Sequence, residues 1–320
     1  MKKNKISIII PCFNEEETIP IFYKEINKVC KKINTASFEF IFVNDGSNDN
    51  SLDIILKLAK KDKQVKYISF SRNFGKEAAM YAGFEAATGE LVATMDVDLQ
   101  DPPKMLEEMY KYIILEDYDC VALKSEEHKD YSKTRKFFTK VFYKIISCIS
   151  SIEQVPGARD FRLMKKKVIK SIISMGEYNR YSKGIFSFVG FNTKWIEYSA
   201  PDRIVGKTKW NFWKLFKYAL EGILAFSTTP LVASAIIGLL FCLIAFIAIV
   251  IIITKTLIWG DPVGGWPSLA CIIIFVSGLQ LFFFGVMGMY LSKIYLEVKK
   301  RPIYIIDKSN CVDKNIVTNS

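Results

Sequence analysis

Two carboxylates and an amide follow one apolar segment at a spacing that suits a divalent cation. Asp96 and Asp98 come directly after Leu91–Met95, and Gln100 follows them. Carboxylate and amide oxygens are the ligands that hard divalent cations prefer. Such a cation neutralises a diphosphate and stabilises it as a leaving group. The pattern therefore predicts a site for Mg²⁺ or Mn²⁺ beside a phosphate-bearing ligand.

Polar residues also follow the three apolar segments that come earlier in the chain. Asn14–Glu16 follows the first segment, Asn44–Ser47 follows the second, and Ser71–Lys76 follows the third. Ligands of open α/β sheets bind at the carboxyl ends of the strands. Because neighbouring parallel strands end on the same side of a sheet, we expect all four polar clusters, and the functional site, at that side.

The segments that position these clusters alternate between strand and helix character. The predicted strands are Ile6–Ile10, Phe38–Val43, Val65–Phe70, Leu91–Met95 and Cys120–Leu123. The predicted helices lie near Glu16–Lys32, Asn50–Lys61, Lys76–Ala87 and Pro103–Leu115. This alternation predicts a Rossmann-like α/β domain whose mostly parallel sheet is covered on both faces. No GxxxxGK[ST] loop is present and no GxGxxG opens a helix after the first strand, which argues against an ATPase and a dinucleotide oxidoreductase.

Two long uncharged stretches predict membrane spans in the C-terminal part of the chain. No Asp, Glu, Lys or Arg lies between Glu221 and Lys255, or between Asp261 and Lys293. Each stretch exceeds the roughly 20 apolar residues that cross a hydrocarbon core. We therefore expect two transmembrane helices.

The expected organisation has five parts. They are a catalytic domain over residues 1–205, an interfacial amphipathic segment over 206–229, transmembrane helices over 230–254 and 266–292, and a cytoplasmic tail over 293–320. The interfacial segment mixes tryptophans with lysines, which suits the head-group layer. Seven cysteines without CxxC spacing and a single histidine argue against a disulfide framework and a zinc site.

The positive charges lie where a membrane surface would meet them. The net charge is +11, and basic residues crowd the segment Lys207–Lys217 and the segment after Lys293. The loop between the two expected spans holds one base, Lys255, and one acid, Asp261. The positive-inside rule then places the catalytic domain and both termini in the cytoplasm. Anionic head groups attract such residues, so the expected partner is the cell membrane and not a nucleic acid.

Ordered motifs along nearly the whole chain resemble one enzyme family. The motifs are Pro11–Glu16 (PCFNEE), Val43–Ser47 (VNDGS), Ser71–Glu77 (SRNFGKE), Asp96–Pro103 (DVDLQDPP), Ala158–Leu163 (ARDFRL), Asp202–Gly206 (DRIVG) and Glu297–Tyr304 (EVKKRPIY). Together they resemble the family 2 glycosyltransferases, and more narrowly the polyprenyl-phosphate sugar transferases of the bactoprenol glucosyltransferase and dolichyl-phosphate mannosyltransferase group.

The resemblance implies an enzyme with a nucleotide-sugar-binding domain of the GT-A type. Its reaction would be inverting transfer of a hexose from UDP-glucose or a related UDP-sugar to a polyprenyl phosphate such as undecaprenyl phosphate. The product would be a lipid-linked sugar donor for cell-envelope glycosylation. The resemblance further implies Mg²⁺ or Mn²⁺ as cofactor, a multi-pass protein of the cell membrane, and a homo-oligomer.

The resemblance also assigns roles by position. Residues of the nucleoside and nucleotide pocket would be Pro11, Phe13, Glu15, Asp45 and Asp96. Asp98 and Gln100 would bind the metal, and Asp160 would lie at the sugar and the acceptor as the catalytic residue. Candidate ligands of the acceptor or of a phosphate are Lys124, Lys133, Arg135, Arg159 and Arg162. Because a phosphate monoester with a second pKa of ~6 is already largely ionised near pH 7, we predict that Asp160 orients the acceptor more than it deprotonates it.

Some of these assignments leave alternatives open. The segment with Lys133 and Arg135 is either an amphipathic helix that covers the sheet or a surface that binds the acceptor, and Arg159 and Arg162 are either phosphate ligands or salt-bridge partners. Asn44 stands where the family often has aspartate, Lys124 stands in place of a common arginine, Lys207 in place of an acid, and Met289 in place of a glutamate.

Two other functions compete with the polyprenyl-phosphate transferase. One is a glycosyltransferase for another membrane acceptor, such as a processive polysaccharide synthase, but the chain has no QxxRW motif. The other is a catalytically silent membrane binding module. Silent copies tend to lose their acids, whereas Asp45, Asp96, Asp98 and Asp160 are all present.

Overall fold

A computed structural model describes residues 3–125, 155, 157–198, 229–259 and 265–311 of the chain. The segment that contains Lys133 and Arg135 lies outside these residues, and so does the expected interfacial segment up to residue 228. The predictions made for those two segments therefore stay predictions.

Eight strands and eight helices are present in the described residues. The strands are β1 (Asn4–Cys12), β2 (Ala36–Asn44), β3 (Val65–Phe70), β4 (Leu91–Thr94), β5 (Cys120–Ser125), β6 (Ala158–Lys165), β7 (Thr193–Tyr198) and β8 (Ile306–Ser309). The helices are α1 (Thr18–Lys32), α2 (Ser51–Lys61), α3 (Lys76–Ala86), α4 (Met105–Leu115), α5 (Lys166–Ser174), α6 (Ser182–Phe188), α7 (Thr229–Trp259) and α8 (Trp266–Val298). The five predicted strands and four predicted helices are confirmed, with ends that differ by at most two residues.

The strands form one mixed sheet in the order β7-β5-β6-β4-β1-β2-β3-β8. The four neighbours β4, β1, β2 and β3 are parallel, and β7 is parallel to β5. Two strands run the other way, because β6 is antiparallel to both β4 and β5, and β8 is antiparallel to β3. The expected α/β domain with a mostly parallel sheet is confirmed.

Apolar layers cover both faces of the sheet. Side chains alternate between the two faces of a strand, so in β1 the buried Ile8 packs with α1, α2 and α4, whereas its neighbour Ile9 packs with α3, α5 and α6. Buried residues recur every three or four positions in α1, as a helix that covers a sheet requires. This double cover explains why β1 and β2 are almost continuously apolar.

The loops after β1, β2, β3 and β4 meet at the carboxyl ends of these strands. The loops after β2 and β3 approach so closely that a side chain at Gly46 would meet the backbone of Arg72 and Asn73 at 2.3–2.6 Å. Gly46 also has a φ of +64°, in the left-handed region that favours glycine. The absence of a Cβ at this position lets the two loops form one continuous surface.

The chain returns to the sheet after α8. Residues Ile306–Ser309 pair with β3 as strand β8, and the Tyr304 ring stacks on Phe70 with a centroid distance of 5.0 Å. The Tyr304 hydroxyl donates a hydrogen bond to Glu85 at 2.6 Å, and the Asn310 amide oxygen accepts one from the backbone N–H of Tyr67 at 2.7 Å. The segment 293–320, expected only as a cytoplasmic tail, thus contains a strand of the sheet that its sequence pattern does not predict.

The last turns of α8 contact the domain directly. The Glu297 carboxylate accepts hydrogen bonds from the backbone N–H groups of Tyr178 at 2.9 Å and Asn179 at 3.4 Å. The Lys293 ammonium donates to the Asn179 side-chain oxygen at 3.1 Å. These contacts fix the end of α8 against the loop between α5 and α6.

In the described residues, one helix has a segment that is long and apolar enough to cross a membrane. This segment is Phe275–Val298 of α8. Helix α7 covers the first expected span and contributes a shorter apolar run, Leu231–Phe241. The described part of the chain thus contains one candidate span where the sequence analysis expected two.

Candidate active site

The predicted nucleotide residues line one cleft at the carboxyl ends of the parallel strands. The cleft has a volume of about 320 Å³. Its lining includes the predicted metal ligand Asp98 and also Lys76. It further includes all five residues predicted for the nucleotide, which are Pro11, Phe13, Glu15, Asp45 and Asp96. The clustering follows from topology, because the loops after four adjacent parallel strands meet there.

The loop after β1 is held by the loop after β2. The Asn14 side-chain oxygen accepts a hydrogen bond from the Asn48 N–H at 2.9 Å, and the Glu16 carboxylate accepts one from the Asn50 N–H at 3.0 Å. Asn14 and Glu16 thus brace the loop, whereas Glu15 lines the cleft. The Glu15 carboxylate accepts a hydrogen bond from the Thr18 hydroxyl at 2.6 Å.

Asp45 connects the loop after β2 to the start of α3. Its Oδ1 accepts a hydrogen bond from the Phe74 N–H at 2.7 Å, and its Oδ2 accepts one from the Gly75 N–H at 3.0 Å. Burial raises the pKa of Asp45 above its ordinary value, although the two backbone donors oppose the shift. Asp45 therefore lines the cleft and also fixes the conformation of the loop that carries Lys76.

Lys76 brings the predicted metal loop and the predicted catalytic residue together. Its ammonium lies 2.7 Å from Asp96 Oδ1 and 2.6 Å from Asp160 Oδ2. Asp96 follows β4, and Asp160 lies near the start of β6. Because β6 is antiparallel to β4, its first residues lie beside the last residues of β4. This pairing places Asp160 at the cleft.

Asp160 is ionised in this arrangement. Burial alone would raise the pKa of Asp160, but the charges of Lys76 and Lys183 outweigh that effect and lower it below its ordinary value. The Asp160 carbonyl oxygen accepts a short hydrogen bond from the Thr94 hydroxyl, which fixes the backbone at the same point. A carboxylate with a lowered pKa is a weak base and a good hydrogen-bond acceptor.

The residues predicted to bind a metal fit Mg²⁺ or Mn²⁺ in their chemistry. Asp96 and Asp98 supply carboxylate oxygens to the cleft, and the Gln100 N–H donates to Asp98 Oδ1 at 3.2 Å. The Gln100 side-chain nitrogen is buried without a hydrogen-bond partner in the described residues. Since an amide exchanges its nitrogen and oxygen by a half turn, Gln100 can present an oxygen at that position.

The protein alone does not complete a cation site here. The described residues contain no group of three or more His, Cys, Asp or Glu side chains that could hold a metal ion. Mg²⁺ sites commonly use one or two carboxylates together with substrate phosphates and water. The carboxylates of Asp96 and Asp98 therefore fit a cation that arrives with a phosphate-bearing ligand, whereas Gln100 is not among the residues that line the cleft.

The predicted phosphate-binding cations lie in different surroundings. Lys124 pairs with Glu197 at 2.6 Å, and Arg159 lies 3.4 Å from the buried carboxylate of Asp101. Arg162 is 3% exposed, and its guanidinium stacks over the rings of two aromatic residues, Phe186 and Trp195. Arg162 therefore packs inside the domain, whereas Arg159 lies beside an acid, and the phosphate-binding roles of both arginines stay predictions. The positions of Lys133 and Arg135 lie outside the described residues.

Glu77, next to Lys76, is a further acid near the site. Its carboxylate accepts hydrogen bonds from the backbone N–H of Ser182, at 3.0 Å, and from the Ser182 hydroxyl. Burial raises the pKa of Glu77 to about 7, and the charge of Asp160 adds to the shift, while the Ser182 hydrogen bonds oppose it. Glu77 therefore changes its charge near neutral pH.

We expect Glu77→Gln to flatten part of the pH dependence of stability. The unfolded chain releases the Glu77 proton near pH 4.5, whereas the folded chain keeps it to about pH 7. The folded state binds more protons between these values, so stability falls as the pH rises, by on the order of 2 kcal/mol for this group. Thermal unfolding of the full chain at pH 5 and pH 7 measures the difference.

The exposed Glu108 of α4 supplies the control for this measurement. Glu108→Gln should follow the wild-type pH dependence, whereas Glu77→Gln should gain stability relative to wild type as the pH rises. An identical pH dependence in all three proteins would show that Glu77 is already ionised at pH 5.

Lys76 is a residue of the site to which the sequence assigns no role. The signal for it was present, because Lys76 ends the polar cluster after the third strand and begins the following helix. Asp101 was also unassigned. It is buried, and it accepts a short hydrogen bond from the Tyr198 hydroxyl in addition to its contact with Arg159.

The chain is similar to known proteins along nearly its whole length. The chain is 42% identical to the SfII prophage-derived bactoprenol glucosyl transferase of Shigella flexneri over 96% of this chain and 98% of that protein. It is 42% identical to a prophage bactoprenol glucosyl transferase homolog of Escherichia coli (strain K12) over 95% of this chain and 99% of that one. It is 38% identical to the putative glycosyltransferase CsbB of Bacillus subtilis (strain 168) over 99% of this chain and 95% of that one.

A protein-family model matches the part of the chain that forms the cleft. The model described as glycosyl transferase family 2 matches residues 7–173, a range that contains Asp45, Lys76, Asp96, Asp98 and Asp160. The match covers more than half of the chain. This chain therefore belongs to glycosyl transferase family 2 and is a glycosyltransferase with a GT-A-like α/β fold.

Proposed function

We propose that the chain transfers a hexose, glucose first among the candidates, from a UDP-sugar to a polyprenyl phosphate such as undecaprenyl phosphate. The observation that carries the proposal is the meeting of Asp96, Asp98 and Asp160 at one cleft through Lys76. The names of two relatives that are 42% identical, one a bactoprenol glucosyl transferase and the other a bactoprenol glucosyl transferase homolog, support the sugar and the acceptor. The product would be a lipid-linked sugar for cell-envelope glycosylation.

The chemistry proposed for the cleft is a direct displacement with inversion. A phosphate oxygen of the acceptor attacks the anomeric carbon, the bond from that carbon to the donor's diphosphate breaks, and the nucleoside diphosphate leaves on the opposite side. Asp160 orients the reacting groups. Pro11, Phe13, Glu15 and Asp45 hold the nucleoside, so that the anomeric carbon lies near Asp160.

The proposal includes Mg²⁺ or Mn²⁺ as cofactor. Asp96, Asp98 and Gln100 would hold the cation beside the diphosphate, and the cation would supply positive charge against the leaving group. The cleft supports this assignment because four acids, Glu15, Asp45, Asp96 and Asp98, line it. An anionic diphosphate needs added positive charge there.

A donor and acceptor panel tests the proposed function. Purified full-length protein in detergent is mixed with UDP- and GDP-sugars and with undecaprenyl phosphate, and the lipid product is detected by mass spectrometry. We expect a product with UDP-glucose and with undecaprenyl phosphate as acceptor. Transfer only to acceptors without a lipid phosphate would contradict the proposal and favour the alternative of another acceptor.

We further propose a multi-pass topology in the cell membrane, with α7 and α8 crossing it and with the catalytic domain and both termini in the cytoplasm. The asymmetry of lysine and arginine around the two helices supports this orientation. A reporter fused after Ser320 should be active on the cytoplasmic side. Activity only on the outer face would contradict the topology.

A homo-oligomer completes the proposal for partners. The family resemblance implies it, and helix α8 offers a surface for it, because large apolar side chains such as Phe282 and Phe284 are exposed. The mass of the detergent-solubilised protein, measured by light scattering with the detergent contribution subtracted, distinguishes one copy from several.

A further inference from the structure

Lys76 is the one cation among the described residues that line the cleft. The other charged residues of the lining are four acids, Glu15, Asp45, Asp96 and Asp98. A cleft with this balance of charge repels an anionic diphosphate unless cations accompany it. Lys76 is thus the protein's own positive charge at the place where the proposed donor binds.

The Lys76 ammonium joins two carboxylates that belong to different strands. It lies 2.7 Å from Asp96 Oδ1 and 2.8 Å from Asp96 Oδ2, and it donates to Asp160 Oδ2 at 2.6 Å. The Lys76 side chain is 41% exposed, so a ligand in the cleft can reach the ammonium. The Lys76 ammonium therefore links Asp96, which the proposed function assigns to the donor, with Asp160, which it assigns to the sugar and the acceptor.

The backbone that carries Lys76 is fixed. Lys76 is the first residue of α3 and follows Phe74 and Gly75, whose N–H groups donate to Asp45. Gly75 has a φ of +98°, which favours glycine. Because this loop is held by Asp45, a change of partner by the ammonium would require rotation of the side chain and no movement of the helix.

We propose that Lys76 couples donor binding to Asp160. Its ammonium holds Asp96 and Asp160 together in the donor-free protein, and it moves to the diphosphate when a divalent cation and the donor occupy Asp96. The inference rests on the proposed function for the nature of the donor. After the exchange, the Asp160 carboxylate is released from this salt bridge to orient the sugar or the acceptor.

The proposal makes the ammonium and the divalent cation competitors for Asp96 as long as no diphosphate is present. Two cations repel each other at such short distances, whereas a diphosphate placed between them attracts both. Removal of the Lys76 charge should therefore favour cation binding without nucleotide and disfavour it with nucleotide. If Lys76 merely stabilised the fold, its removal would not strengthen cation binding without nucleotide and weaken cation binding with nucleotide.

The experiment compares full-length wild type with Lys76→Met and Lys76→Arg, and with Lys57→Met on the exposed face of α2 as control. Free Mn²⁺ is titrated by electron paramagnetic resonance with and without UDP. We expect Lys76→Met to bind Mn²⁺ alone about fivefold more tightly than wild type, and Mn²⁺ with UDP about fivefold more weakly. Lys57→Met should stay within about twofold of wild type, and Lys76→Arg, which keeps the positive charge, should not combine tighter binding of Mn²⁺ alone with weaker binding of Mn²⁺ in the presence of UDP.

Other outcomes are equally decisive. Unchanged or weaker binding of Mn²⁺ alone by Lys76→Met would overturn the coupling role, and so would the absence of Mn²⁺ binding from every protein in the set. Lys76→Gln is measured in parallel and decides the matter if Lys76→Met does not fold. The role of Lys76 and the proposed acceptor can fail separately. If Lys76→Met shows the two opposite changes in Mn²⁺ affinity but the wild type transfers no sugar to undecaprenyl phosphate, the proposed acceptor is wrong and the role of Lys76 is supported.

Discussion

Asp98→Asn is expected to lower the rate of sugar transfer by on the order of 10³-fold while leaving the fold intact. Asp98 lines the cleft beside Asp96, and its Oδ1 accepts a hydrogen bond from the Gln100 N–H. An asparagine keeps the shape of the side chain and that hydrogen bond, but it removes the negative charge that the proposed cation needs. Initial rates at saturating Mg²⁺ or Mn²⁺, together with thermal unfolding of the same samples, measure both effects.

Asp53→Asn is the matched control for this variant, because Asp53 is exposed on α2 and does not line the cleft. It should retain wild-type activity. Full turnover of the wild-type protein in excess chelator would contradict the metal site, since the carboxylate would then have no cation to bind.

Asp160→Ala is expected to lose about 10³-fold in activity, whereas Asp160→Asn should lose only about 10- to 100-fold. An orienting residue needs a hydrogen-bonding group in the right place, and asparagine still offers one. A general base needs a proton acceptor, which asparagine cannot provide. In the donor-free protein the charges of Lys76 and Lys183 outweigh burial and lower the pKa of Asp160, so the carboxylate is already ionised there, as an orienting hydrogen-bond acceptor requires.

The pH dependence of the rate separates the two roles. With an orienting Asp160, the rate should rise with ionisation of the lipid phosphate, whose second pKa is ~6, in wild type and in Asp160→Asn alike. If Asp160→Asn is as inactive as Asp160→Ala, and the wild-type profile shows an essential base well separated from the phosphate pKa, the orienting role is wrong. Thermal unfolding of both variants controls for damage to β6.

The location of the site was predictable because it depends on local patterns. The apolar segments before Asn14, Asn44, Ser71 and Asp96 predicted neighbouring strands, and parallel strands bring the polar residues that follow them to one side. No long-range information was needed for this step. The individual residues predicted for the nucleotide, in contrast, came from the family resemblance and not from these local patterns.

The link between Asp160 and the cleft was not predictable in this way. It depends on β6 pairing antiparallel with β4, and pairing direction is set by contacts between residues far apart in the chain. The surroundings of Arg162 depend on distant residues for the same reason. Alternation along β6 places Arg162 on the face covered by Phe186 and Trp195, and neither aromatic residue is near it in sequence.

Strand β8 makes the catalytic domain discontinuous in sequence, and this affects how a soluble fragment should be made. A fragment that stops at Tyr198 would retain β1–β7, but the backbone of β3 would lose its hydrogen-bond partners on one side, and Phe70 would lose the ring of Tyr304. Unpaired outer strands recruit strands from other molecules and promote aggregation. A well-behaved fragment therefore has to carry residues 303–311 in cis, joined by a linker that replaces the two long helices.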